Sequence, residues 1–128
     1  MTALLVGDAP AAAGLLESLR EAGLHASVAE PAEPADPGEI RALAHELLRF
    51  ESSLGEARPS AVLLVDGGNS ALAAALVATK LLVPVATVGA EADDENSALL
   101  AQLADRKLSA DAGEILAWIE AVSTLRRD

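Results

Sequence analysis

Apolar residues in this chain gather in short continuous runs, and between the runs they recur at helical spacing. The run Thr2 to Gly7 (TALLVG) predicts a buried strand closed by the turn Gly7-Asp8-Ala9-Pro10. Leu15, Leu16 and Leu19 give Ala11 to Ala22 the period of a helix, with Gly23 as its stop signal and a second strand over Leu24 to Ala29. Farther on, Ile40, Leu43, Leu47, Leu48 and Leu54 form the apolar stripe of a long helix, while Arg41, His45 and Arg49 fall four apart on a solvated face. Its start signal is Asp36-Pro37-Gly38-Glu39, and Arg58-Pro59 ends it.

Ala61 to Asp66 (AVLLVD) is apolar without alternation, the pattern of a strand covered on both faces at the centre of a parallel sheet. Asp66-Gly67-Gly68-Asn69-Ser70 then turns into a helix over Ala71 to Leu82, and Val83 to Gly89 forms the next strand. Pro84 is placed at the beginning of that strand, where a missing donor is tolerated. After an acidic loop, Glu91 to Asn96, come a short helix over Ser97 to Ala104 and a short strand over Arg106 to Leu108. A capping box, Asp111-Ala112-Gly113-Glu114, opens the last helix, whose stripe is Ile115, Trp118, Ile119, Val122 and Leu125. Trp118 reads as a core anchor, and Arg126 and Arg127 suit the negative end of the helix.

Five strands alternating with five helices predict a three-layer Rossmann-like α/β sandwich with a five-stranded parallel sheet in the order 2-1-3-4-5. At 128 residues, 1–128 reads as a single domain with a Pro/Glu-rich surface connector at 30–37. In that strand order the first and third strands flank the switch point, so the loops that follow them line one crevice. The candidate ligand-binding residues are therefore Gly7, Asp8, Asp66, Gly67, Gly68, Asn69 and Ser70, with Gly89 and Glu91 beside them. Gly67 and Gly68 allow close backbone approach, and amides at a helix N-terminus suit an anion, but neither loop carries a Lys or Arg and Asp8 and Asp66 oppose one.

Composition narrows the function classes. The chain holds 29 Ala and 22 Leu with a single Phe and a single Trp, so small side chains fill the core. A formal charge of -11 repels phosphate backbones and anionic membranes, which excludes nucleic acid as a partner. No apolar run is long enough to span a membrane, and with no Cys the chain fits a cytoplasmic protein without disulfides or thiolate metal sites. No resident cofactor and no metal site are expected. The helix over 71 to 82 has only Thr79 and Lys80 as polar groups, so it is expected to need cover from a homodimer partner or a separate protein chain.

The segment Pro59 to Glu91 (PSAVLLVDGGNSALAAALVATKLLVPVATVGAE) resembles the non-hydrolysing UDP-N-acetylglucosamine 2-epimerase family. That family carries a strand ending in His-Gly-Asp-Thr, a Ser-Ala-Leu-Ala-Ala-Ala helix and a strand Pro-Val-Ala-His-Val-Glu-Ala-Gly, in the N-terminal half of a two-domain fold. Ser70, Ala71, Leu72, Pro84, Val85, Ala86, Val88 and Ala90 match the scaffold, and a weaker likeness extends to Leu103 to Ser109. In the same alignment the family's catalytic Asp falls on Gly67 and its preceding His on Val65; the later His and Glu fall on Thr87 and Gly89. The family's first loop, Gly-Thr-Arg-Pro-Glu, is here Gly7-Asp8-Ala9-Pro10-Ala11, without the Arg that serves the substrate. The resemblance thus implies a non-catalytic pseudoenzyme of this fold, acting as a nucleotide-sugar-type ligand binder or as an assembly subunit. Two alternatives remain: a receiver-like signalling domain with Asp66 as phosphoacceptor and Asp8 helping to hold Mg²⁺, or a divergent active epimerase that requires a separate C-terminal partner.

Overall fold

The computed structural model describes residues 1–30, 40–66, 68–89 and 96–126. Among them the chain runs β1 (Thr2–Val6), α1 (Ala9–Glu21), β2 (His25–Ala29), α2 (Ile40–Ala57), β3 (Ala61–Leu64), α3 (Asn69–Lys80), β4 (Val85–Val88), α4 (Ser97–Leu103), β5 (Arg106–Leu108) and α5 (Ala112–Arg126). The five strands form one sheet in the order β2-β1-β3-β4-β5, and every neighbouring pair is parallel. This is the expected Rossmann-like arrangement. Most of the connector at 30–37, the start signal Asp36 to Glu39, and Gly67, Glu91 and Arg127 lie outside the described residues.

Side chains alternate across each strand, and two cores follow from that alternation. On one face Val6, Val62, Leu64 and Val85 pack with Phe50 and Leu54 of α2, the alanines of α3 and Leu100 of α4. On the other, Ala3, Leu5, Ala61, Leu63 and Ala86 meet Leu19 of α1 and Ile115 and Ile119 of α5. Trp118 is only partly buried at the flank of this second core, because Ile115 and Ile119 occupy the centre of the stripe.

Several boundaries differ from the sequence reading, for local reasons. Helix α1 begins at Ala9 instead of Ala11: Pro10 sits in its first turn, where no donor is needed, and the Ala12 amide donates to the Asp8 carbonyl at 3.1 Å. Helix α3 likewise begins two residues early, at Asn69, with Gly68 as its N-cap, and ends at Lys80 as Leu81 and Leu82 turn toward β4. Strand β3 stops at Leu64 and β4 is trimmed to Val85–Val88. In β2 the pairing starts at His25, since the Leu24 amide donates to the Leu19 carbonyl and closes α1.

Two residues assigned to the buried stripe of α2 are exposed. Leu48 follows Leu47 by one position, a rotation of about 100° that carries it off the face holding Leu43, Leu47, Phe50 and Leu54. Ile40 lies in the first turn, at the edge of that face, and is 76% exposed. The expected bare flank of α3 is also corrected. Helix α2 packs most extensively against α3, α4 adjoins it, and Asn69 to Ala75 and Ala78 are all buried within the chain. Alanine makes this possible, because its small side chain lets a helix approach the sheet and two neighbouring helices closely.

Candidate functional site

The loops that follow β1 and β3 meet at the carboxyl ends of the sheet, as the strand order requires. Their contact is close. A Cβ built on Gly7, whose φ is +152°, would lie 2.3 Å from Val65 Cγ2 and 2.8 Å from Asp66 Oδ2, so only glycine fits there. The Asp66 carboxylate ties the two loops together: Oδ2 accepts from the Asp8 amide at 3.1 Å and Oδ1 from the Gly68 amide at 3.0 Å. Asp66 thus does what an added anion would do at the start of α3. Asp8 itself is exposed at the mouth.

Asn69 and Ser70 are brought to the same place, but both are buried. Asn69 Oδ1 accepts from Asn96 Nδ2 at 3.4 Å, and the Ser70 hydroxyl donates to Glu46 Oε1 at 2.7 Å. Glu46 Oε2 in turn accepts from Arg49 Nε at 2.6 Å, and the Arg49 guanidinium lies 4.6 Å from the centre of the Phe50 ring. One nitrogen of that guanidinium, Nη2, is buried without a partner among the described residues. Arg49 is therefore not on a solvated face with Arg41 and His45, which are exposed. Gly89, at the end of β4, has φ +91° and gives its amide to the Leu108 carbonyl at 3.0 Å, extending the pairing of β4 with β5.

Glu46 and Asn96 belong to this cluster and were missed by sequence reasoning. The signal for Glu46 is its phase: it sits three residues after Leu43 and four before Phe50, on the buried side of α2. Asn96 offered none, being one polar residue in an acidic loop.

The polar side chains that meet here, Asp66, Asn69, Ser70, Glu46 and Asn96, are bonded to one another or to the backbone. Neither loop supplies a basic side chain. Among the described residues no group of three or more His, Asp or Glu side chains comes together as a metal ion would need, and no helix is long and apolar enough to cross a membrane. An open groove of about 700 Å³ lies at the other end of the sheet, bordered by Thr2, His25 and Pro59.

No protein-family model matches this sequence, and no curated protein matches it. Solved structures do match. An S. aureus MnaA–UDP co-structure superposes with a TM-score of 0.70 at 20% identity, over 84% of this chain and 37% of that one. UDP-GlcNAc 2-epimerase of Methanocaldococcus jannaschii, in complex with UDP-GlcNAc and UDP, gives 0.65 at 19% identity, over 80% and 38%. The Neisseria meningitidis UDP-GlcNAc 2-epimerase bound to UDP-GlcNAc gives 0.70 at 15% identity, over 85% and 40%. This chain therefore spans about two fifths of their length, and it has the fold of that part of them. The fold agrees with the resemblance carried by Pro59 to Glu91.

Proposed function

We propose that this chain is a non-catalytic protein with a UDP-GlcNAc 2-epimerase-like fold, and that it acts as an assembly subunit through self-association. The observation that carries this reading is the state of the crevice. The side chains of Asp66, Asn69 and Ser70 are engaged inside the protein, and the positions where the resembling family has its catalytic Asp and its substrate Arg hold Gly67 and Ala9. A UDP-sugar carries two phosphates, and the crevice loops offer it no cation. Exposed apolar side chains lie on two helices that flank α3: Ile40 and Leu48 of α2 are 76% and 67% exposed, and Leu99 of α4 is 49% exposed. Light scattering over a range of protein concentrations tests the reading. A mass that rises toward twice that of one chain, and that Leu48→Asp returns to a single chain, is expected; a single-chain mass at every concentration contradicts it.

A second reading is a nucleotide-sugar-type ligand site at the crevice, favoured by the UDP and UDP-GlcNAc present in the similar structures. In this reading the amides at the start of α3 receive the ligand. Thermal denaturation separates the two: UDP-GlcNAc raises the Tm of a binder by mass action, whereas the Tm of an assembly subunit rises with protein concentration alone. The receiver-like alternative has less support, since each carboxylate oxygen of Asp66 accepts a backbone amide and the one that attacked phosphorus would have to give its amide up.

A further inference from the structure

We propose that the groove at the amino ends of β1 and β2 is a binding site for a small organic anion with an apolar body. Its floor follows from the strand register. Thr2 pairs with His25 and Leu4 with Ser27, and alternation turns these four side chains to the face that carries α2. Helix α2 packs chiefly on α3, so it walls this strip without roofing it, and His25 and Ser27 remain exposed. Ser53, on the wall, is exposed as well, while half-buried Leu4 and exposed Ala57 give the groove its accessible apolar lining. At about 700 Å³ it is of the size that small-molecule sites have.

Arg20 reaches the groove from the last turn of α1. Its Nε donates at 3.1 Å to the carbonyl of Ala26, which faces the open edge of β2 because the His25 and Ala29 backbone groups are used on β1. That bond fixes the guanidinium beside the groove, and its other nitrogens make no bond to a described residue. The His25 imidazole and the hydroxyls of Ser27 and Ser53 also have no partner among the described residues. In the crevice Asp66, Asn69, Ser70 and Glu46 are bonded within the protein, whereas here the polar side chains are available.

Charge selects the guest. The chain has 20 acidic residues against 9 basic ones, yet no Asp or Glu is among the described residues that line this groove, whereas Arg20 and His25 are. An anion is held by the guanidinium fork and the hydroxyls, and an apolar body packs on Leu4 and Ala57.

The chain's two histidines make the test internal. His45 is exposed on α2, eight residues before Ser53 and so about 12 Å from it along the helix, and serves as the control. Proton NMR of the imidazoles, at fixed pH, is followed during titration with phenyl phosphate, inorganic phosphate and phenol. Phenyl phosphate is expected to move the His25 resonance saturably and leave His45 in place, with weaker responses to the two fragments. Arg20→Gln is expected to weaken the phenyl phosphate response about tenfold, and Ser53→Phe, which fills the groove from an exposed wall position, to abolish it. No shift, a linear or equal shift of both histidines, or an unchanged affinity in either variant overturns the proposal.

Discussion

Ser70 holds the first turn of α3 to α2 through a buried carboxylate, and Gly7 lets the first loop pass against Val65. Each makes a separate prediction. Ser70→Ala removes a hydrogen bond to buried Glu46 and is expected to lower the unfolding free energy by about 1–3 kcal/mol in urea denaturation. An unchanged midpoint would show that the Glu46 contact does not hold α3. Gly7→Ala meets both the close approach and the positive φ, and a loss of about 1–3 kcal/mol is expected from the same measurement. At this scale the sequence shows half of the cluster. Glycines and an Asp at strand ends announce a tight corner, which is why Gly7, Asp66 and Gly68 are legible. A Glu with an Arg three residues later reads as an exposed pair, and only the phase of Leu43 and Phe50 shows that Glu46 faces inward.

Elements are legible where apolar runs are unbroken. The central strand β3 and the Ala-rich helix α3 are plain in the sequence, and for five strands alternating with helices in a chain of this length β2-β1-β3-β4-β5 is the economical order, the one observed. Boundaries are less so. Caps at Asp8 and Gly68 extend α1 and α3 backward by two residues each, because a backbone carbonyl can start a helix without a side-chain signal. Helix α2 gives the sharpest test of phase. Leu54 is 1% exposed and Leu48 is 67% exposed, so Leu54→Ala should cost about 2–5 kcal/mol and Leu48→Ala should fall within about 0.5 kcal/mol. Equal effects on thermal or urea unfolding of the single chain would mean that the stripe is wrongly phased.

For the molecule as a whole, the apolar surface and the charge act against each other. Exposed Ile40, Leu48 and Leu99 favour association, while a formal charge of -11 on each chain opposes it. Self-association should therefore tighten as salt rises from about 10 mM to about 150 mM, since screening weakens the repulsion and leaves apolar contact largely intact. Sedimentation velocity reads this directly, and a dimer that dissociates with added salt over that range would point to ion pairs as its glue. The fold was legible at this scale because alternation and length leave few topologies. The interior of the crevice was not, because which groups are already bonded depends on residues such as Glu46 and Asp66 meeting across 24 or 58 positions of sequence.

The central claim is that the crevice at the carboxyl ends of β1 and β3 is occupied by the protein's own carboxylates and does not hold a nucleotide-sugar. An amide-resolved NMR titration of the intact chain with UDP-GlcNAc tests it most directly, because it reports on Gly7, Asp8, Gly68, Asn69 and Ser70 one by one. The account predicts that these amides stay in place up to millimolar ligand. Saturable shifts confined to them would contradict it.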